Sequence, residues 1–205
     1  MDIHVIFVNA LMLIAVLNPF GNVPLFIGMT DGMEKDIRKK LFKAIAITGF
    51  FITWIFSLIG EFLMTNFYKI NMNELRMAGG LILILMAIKN LIFSSARKGQ
   101  QVNKLPPEEQ IKQAVIPMAF PVMVGPGSLT TALIGRSEYG LMSNSLSIFV
   151  AFVIIFLVFM IGNYLERIFG KLVLYILSKV MQIFIMSIGF RIFFDGLFKM
   201  LEILK

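Results

Sequence analysis

The sequence predicts an all-α integral membrane protein with six transmembrane helices, and three observations carry this prediction. First, the 205 residues are 58% hydrophobic and 15% charged, whereas a soluble domain is about half apolar and about a quarter charged. Second, the chain contains six apolar stretches of about 20 residues, the length that crosses a hydrocarbon core of about 30 Å. Third, the lysines and arginines fall mainly in alternate connections between these stretches, as they do in multi-pass membrane proteins.

The predicted spans cover residues 5–30, 44–65, 73–93, 112–136, 145–165 and 180–200. A polar linker separates the third span from the fourth, so the chain divides into residues 1–95, 96–111 and 112–205. Loops one, three and five carry most of the basic residues, which places them in the cytoplasm and both termini outside. The N-terminus lacks the basic region and the cleavage site of a removable signal peptide. We therefore expect a multi-pass protein of the cell (inner) membrane.

The first and fourth spans are interrupted by helix breakers at matching places. The two runs are Asn18-Pro19-Phe20-Gly21-Asn22-Val23-Pro24 and Gly125-Pro126-Gly127-Ser128. Because three spans lie on each side of a cytoplasmic linker, the second half starts from the opposite face of the membrane. The sequence therefore predicts two inverted three-helix repeats with discontinuous first and fourth helices, an arrangement that places a transporter binding site at the breaks.

The chemistry of a broken helix favours a small zwitterionic ligand. Each break exposes the free N–H groups of one half-helix and the free carbonyls of another. Anions bind such N-termini, and the carbonyls suit an ammonium group, so an amino acid matches both. The alternative is that both breaks are kinks packed by neighbouring helices. The predicted substrate-binding residues are Asn18, Pro19, Gly21, Asn22, Gly125, Pro126, Gly127, Ser128 and Thr131, with Ser128 placed to cap the half-helix that follows it.

Three charged residues inside the predicted spans are candidates for a gate or for coupling. A charge at the centre of a span costs at least about 2.5–3.5 kcal/mol on insertion scales, so a partner is expected. Arg191 and Asp195 lie one turn apart on the sixth span, which predicts that they pair. This pair is either a gate that contacts the substrate carboxylate or a purely structural pair. Glu61 is either a proton-coupling carboxylate or a side chain that reaches the outer interface.

The chain resembles the MarC family of six-span inner-membrane proteins. The resemblance is carried by residues 17–26 (LNPFGNVPLF), by residues 117–121 (PMAFP) followed by GPGS at 125–128, and by residues 77–81 (MAGGL). It implies two inverted three-helix repeats with discontinuous first and fourth helices. It also implies a small exporter or facilitator, since an archaeal branch of the family is described as transporting the small neutral amino acids glycine and alanine.

The function that these observations predict is secondary transport or export of small neutral amino acids by alternating access. The alternative is a transporter or flippase of another small anionic or lipid-linked compound, and a channel is a further possibility. The sequence lacks HExxH, cysteine, a second histidine and the Gly-x-Ser-x-Gly elbow, so we expect no enzyme, no metal and no cofactor. The expected partners are a small-molecule substrate and the lipid bilayer, with a homo-oligomer left open. The net charge of +7 is explained by the cytoplasmic loops rather than by nucleic acid.

Overall fold

The computed structural model describes residues 2–30, 33–92 and 106–203, and within these ranges the regular structure is entirely helical. The helices are α1 (Ile3–Leu17), α2 (Pro19–Met29), α3 (Lys35–Phe62), α4 (Met72–Ile92), α5 (Pro107–Pro117), α6 (Pro126–Met160) and α7 (Gly162–Ile203). Two short π-helical segments, Leu63–Phe67 and Met118–Met123, follow α3 and α5 directly. The predicted all-α class is confirmed.

Five described segments are long and apolar enough to cross a membrane. They are Ile3–Val23, Lys35–Phe67, Met72–Ile92, Pro126–Met160 and Leu172–Glu202, and a shorter apolar helix covers Ile111–Met123. The predicted multi-pass membrane character is therefore confirmed. The predicted fourth span corresponds to this shorter helix together with the beginning of α6. Of the predicted linker 96–111, residues 96–105 lie outside the described residues, and α5 begins at Pro107.

Helices α6 and α7 each change direction at a glycine that the sequence analysis did not single out. Gly140 has φ 77° and ψ 171°, and Gly170 has φ 72° and ψ 161°. Residues with a side chain rarely adopt this backbone conformation, whereas glycine does so at little cost. The two glycines divide α6 into residues 126–139 and 141–160, and α7 into residues 162–169 and 171–203.

Helices α4 and α7 approach each other closely at a row of glycines. A Cβ built on Gly80 would lie 2.6 Å from the Gly189 carbonyl oxygen, and one on Gly196 would lie 2.7 Å from the carbonyl oxygen of Asn73. Small residues allow backbones to approach in this way, and van der Waals packing then drives helix association in lipid. A Cβ on Gly79 would overlap Thr130 of α6, so the two consecutive glycines of α4 pack closely against two different helices.

The main hydrophobic core joins α2, α3 and α6 through three phenylalanine rings. The ring centroids of Phe26, Phe42 and Phe159 lie 5.4–6.3 Å apart, and all three side chains are buried. Aromatic pairs at such distances stabilise beyond the area that they bury. Because Phe26 lies one turn before the end of α2, the rings fix that end of the helix against its neighbours.

The helices of the two halves pack in corresponding ways. Helix α2 contacts α7, and α6 contacts α4, while α3 packs on α6 and α4 packs on α7. Reciprocal contacts of this kind are typical of inverted repeats. The inverted repeat itself stays a prediction, and so does its division into residues 1–95 and 112–205.

Candidate functional site

The first helix break lies between α1 and α2 and is built around Asn18. This residue has φ 45° and ψ 59°, the left-handed conformation that asparagine tolerates better than most residues. Its backbone N–H donates to the carbonyl of Ile14 at 2.9 Å, and its Oδ1 accepts from the N–H of Gly21 at 3.1 Å. Asn18 therefore caps the end of α1 and the start of α2 at once.

Asn22 closes the same break from the other side. Its Nδ2 donates to the carbonyl of Leu17 at 2.9 Å, and Leu17 is the last residue of α1. The Oδ1 of Asn18 and the Nδ2 of Asn22 are thus engaged with the backbone of the break. The N–H of Phe20 is left with no acceptor inside its own helix, as is usual at a helix start.

The second break lies between Met123 and Pro126, where Gly125 is the N-cap residue with φ −99° and ψ 178°. The predicted capping role of Ser128 is wrong, because a capping hydroxyl accepts a hydrogen bond from the helix start and this hydroxyl donates one. Its buried Oγ donates to the carbonyl of Gly125 at 2.9 Å and does not accept from the helix start. The N–H groups of Gly127 and Ser128 therefore have no acceptor within α6, because a helix bonds only later N–H groups to its own carbonyls.

The two threonines after this break also bond to their own helix. The Oγ1 of Thr130 donates to the carbonyl of Pro126 at 3.0 Å, and that of Thr131 donates to the carbonyl of Gly127 at 2.9 Å. Such bonds use the single hydroxyl proton and leave the oxygen lone pairs available as acceptors. Thr131 stays a predicted substrate contact in which the hydroxyl would accept.

Each break lies against a helix from the opposite half of the chain. A Cβ on Gly21 would lie 2.7 Å from the Oγ of Ser178 in α7, and one on Gly125 would lie 3.2 Å from the Cε of Met86 in α4. A Cβ on Gly127 would overlap Leu83 of α4. Helix α2 also contacts the Met118–Met123 segment directly. The first break therefore lies against α7 and the second against α4, and these two helices pack on each other.

Ser178 is a candidate contact that the sequence analysis missed. It is half-buried and lies against the first break. Among the described residues, none of the side-chain hydrogen bonds that α7 donates comes from the Ser178 hydroxyl. A serine in an apolar helix gives a weak sequence signal, because serine hydroxyls there usually bond to the preceding turn.

A buried polar network next to the second half-helix was also missed. The Nδ2 of Asn144 donates to the Oγ of Ser57 at 2.7 Å and to the carbonyl of Ala132 at 3.0 Å. The Nδ2 of Asn9 donates to the Oδ1 of Asn144 at 2.9 Å. These bonds join α1, α3 and both parts of α6 in the protein interior. Asn9, a lone asparagine in the first predicted span, was the signal that could have revealed the network, since polar side chains inside the membrane need partners; Asn144 lay outside the predicted spans.

The predicted pairing of Arg191 with Asp195 is wrong. Arg191 lies on an exposed face of α7. Asp195 instead lies 3.4 Å from the Nε of Arg76 and 3.1 Å from the Nζ of Lys199. Arg76 is buried and also forms an ion pair with Glu138 at 2.9 Å. A spacing of one turn permitted the predicted pair, but α4 brings a buried arginine to the same carboxylate from another helix.

Glu61 pairs with Arg136, whose Nε lies 3.8 Å from its Oε2. The side chain of Glu61 is 40% exposed, which agrees with a carboxylate near one end of the helices. The ion pairs bring together the end of α3, the start of α4, residues 136–138 and the end of α7. These are the four segments that the predicted topology places at the outer face.

Comparison with protein-family profiles identifies the family of this chain. The sequence profile described as "MarC family integral membrane protein" matches residues 3–201. The chain belongs to the MarC family. The match includes both helix breaks, the buried asparagines and the ion pairs.

The MarC relatives extend over bacteria and archaea. A UPF0056 membrane protein of Aquifex aeolicus is 28% identical, covering 98% of this chain and 96% of its own length. A UPF0056 membrane protein of Methanocaldococcus jannaschii is also 28% identical, over 96% of this chain and 98% of its own. The UPF0056 membrane protein YhcE of Escherichia coli is 24% identical, over 96% and 93% respectively. No solved structure matches the chain. The relatives' names state membrane location and no substrate.

Proposed function

We propose that this MarC family protein is a secondary transporter or exporter of small neutral amino acids such as glycine and alanine. The observation that carries the proposal is the pair of helix breaks in a multi-pass membrane protein, one against α7 and the other against α4, two helices that pack on each other. Irregular backbone at membrane depth is tolerated only where it is buried in protein or lines a cavity. Paired broken helices are the usual substrate site of secondary transporters.

The polar groups at the breaks support an amino acid as the substrate. The N–H groups of Gly127, Ser128 and Phe20 point out of helix starts, where the helix dipole favours a carboxylate. Thr131 and Ser178 offer hydroxyl oxygens, and the last carbonyls of α1 suit the ammonium group. Because Leu83, Met86 and Ser178 pack tightly on the glycines of the breaks, small side chains fit best.

The proposed topology places both termini outside and loops one, three and five in the cytoplasm of a cell inner-membrane protein. The bias of lysine and arginine supports it. The ion pairs Glu61–Arg136 and Arg76–Glu138 also support it, since they join only segments that this topology assigns to one face. We propose that the protein acts without a cofactor or catalytic centre, with a small molecule and the bilayer as its partners.

Uptake by purified protein in liposomes tests the proposed function. Protein-containing vesicles loaded with unlabelled alanine should accumulate labelled glycine, and the rate should saturate with concentration. Empty vesicles and vesicles with heat-unfolded protein give the background. Asn18→Ala and Gly127→Leu should reduce the flux strongly, whereas Asn66→Ala, at an exposed asparagine, should leave it unchanged.

The same preparation distinguishes the alternative substrates. A thermal-unfolding panel compares glycine and alanine with short-chain phosphorylated lipids and inorganic phosphate. Ligands that bind the folded protein raise its midpoint by mass action. Stabilisation by phosphorylated lipids with none by amino acids, together with no glycine flux, would replace the proposal with a lipid-linked or anionic substrate. Flux that rises linearly without saturation would indicate a channel.

A further inference from the structure

Residues 126–139 form a short helix with a backbone interruption at each end. The helix starts after the extended Gly125 and ends before Gly140, whose φ is 77°. A Cβ on Gly140 would meet nothing within 4 Å. The position therefore requires glycine because of its backbone conformation and not because of tight packing. Domain and helix movements concentrate their backbone changes at such positions, at the ends of rigid elements.

The end of this helix is held by ion pairs to two different helices. Arg136 pairs with Glu61 at the end of α3, and Glu138 pairs with Arg76 near the start of α4. The carboxylates are 33–40% exposed at their side chains, so water can solvate both carboxylates if the helix moves. The Arg136–Glu61 pair is partly exposed and therefore weak, and the buried Arg76 keeps Asp195, 3.4 Å away, as a second partner when Glu138 leaves.

The first half-helix ends in a different way. Helix α2 carries Phe26, which is fully buried between Phe42 and Phe159. The carbonyl of Thr30 then accepts a 2.8 Å hydrogen bond from Arg38. Moving α2 would expose aromatic surface and open a cavity, and such changes are costly. The two half-helices therefore differ in how easily the end that lies farther from the break separates from the neighbouring helices.

We propose that residues 126–139 form the outer gate of the transporter, held closed by the ion pairs Arg136–Glu61 and Glu138–Arg76 and moving between the backbone interruptions at Gly125 and Gly140. This inference rests on the proposed function, because a gate needs a site to cover. Opening would carry the helix away from α4 and expose Ser128, which is 2% exposed in this structure. The hydrogen bond from Asn144 to the carbonyl of Ala132 would break or follow the movement.

A single introduced cysteine reports the gate directly, because the chain has no cysteine of its own. Ser128→Cys changes one atom at the buried second break. A membrane-impermeant maleimide added to intact cells reaches the outer face, and the same reagent added to inside-out vesicles reaches the cytoplasmic face. The labelling rate needs no substrate, so it tests the gate independently of the substrate proposed above.

Removing the carboxylates should open the gate. In the Ser128→Cys background, Glu61→Gln with Glu138→Gln should raise labelling from the outer face about tenfold, within the usual range of coupling between conformational states. Labelling from the cytoplasmic face should stay the same or fall. Glu202→Gln is the matched control, because it removes an exposed carboxylate of α7 at the same end. It should leave both rates unchanged.

A charge exchange and a cross-link keep the test independent of folding defects. Glu61→Arg and Arg136→Glu should each accelerate labelling, and the double exchange should restore the slow rate. In Ser128→Cys protein that also carries Glu61→Cys and Arg136→Cys, a short bifunctional thiol reagent that joins positions 61 and 136 should stop outer labelling at position 128. Unchanged labelling in the carboxylate variants, or equal acceleration by Glu202→Gln, would overturn the gate. If glycine flux is present in that case, only the gate is rejected.

Discussion

The Nδ2 of Asn22 donates a 2.9 Å hydrogen bond to the carbonyl oxygen of Leu17 across the first helix break. This bond satisfies a carbonyl that the end of α1 would otherwise leave without a partner inside the membrane. The neighbouring Asn18 caps both helices at the same place. The break is therefore a fixed, hydrogen-bonded turn and not a region where the helix frays.

Asn22→Ala should lower the stability of the protein, because it leaves the Leu17 carbonyl without its donor. A buried acceptor that loses its partner costs about 1–3 kcal/mol. Thermal unfolding of the purified protein in detergent should show a lower midpoint. Asn66→Ala removes the same kind of asparagine-to-carbonyl bond, to Phe62, at an exposed site and should change the midpoint little. Equal effects of the two variants would contradict a special role for Asn22.

Asn144 and Asn9 should show energetic coupling. Asn144→Ala removes the donors to Ser57 and Ala132 together with the acceptor for Asn9. Side-chain hydrogen bonds inside a membrane protein average about 0.6 kcal/mol each. A double-mutant cycle of Asn9→Ala and Asn144→Ala in a denaturant titration should therefore give a coupling of about 0.5 kcal/mol or more. Additive effects would show that the observed bond does not stabilise the fold.

Gly80→Val should prevent α4 and α7 from approaching. The added side chain would meet the Gly189 carbonyl and the backbone of Phe193, neither of which can move aside as a flexible side chain could. We expect loss of monodisperse protein in size-exclusion chromatography. Ala78→Val is the control, since Ala78 lies on the exposed face of the same helix. Normal folding of Gly80→Val would contradict the close helix crossing.

Arg76 should matter more than Arg191. Arg76→Gln leaves Glu138 and Asp195 without their shared buried cation, and breaking a buried pair costs about 3–5 kcal/mol. Because both carboxylates are partly exposed, we expect the free energy of unfolding to fall by about 3 kcal/mol or less. Arg191 is exposed, and exposed substitutions usually stay within about 0.5 kcal/mol. Denaturant unfolding of the two glutamine variants compares them directly. A larger loss of unfolding free energy in Arg191→Gln would support the Arg191–Asp195 pair that the sequence predicted.

Local chemistry predicted much of this structure. The breaks at Asn18–Pro19 and Gly125–Pro126 were predictable because proline and glycine act on the backbone of their own neighbours. The close crossing at Gly80 follows an equally local rule, because small residues permit close approach whatever lies opposite. The loop charges also assigned Glu61 to one end of the bundle without knowledge of its partner.

Side-chain partners between distant helices could not be predicted in this way. Asp195 has one arginine a turn away in sequence and another, Arg76, on α4, and only the packing of α4 on α7 decides between them. The link between Asn9 and Asn144 likewise depends on which faces of α1 and α6 meet. Gly140 was missed because a glycine in a predicted loop looks ordinary until its left-handed conformation is seen.

Protection of a cysteine at position 128 tests the central claim, that a small amino acid binds at the two breaks. In proteoliposomes of Ser128→Cys protein, glycine and alanine should slow alkylation of this cysteine in a saturable way, and leucine should do so much less. Ser147→Cys, at a buried serine in the second part of α6, should show no protection by any of them. Equal protection at both positions, or no protection of position 128 in protein that transports glycine, would contradict a substrate site at the breaks.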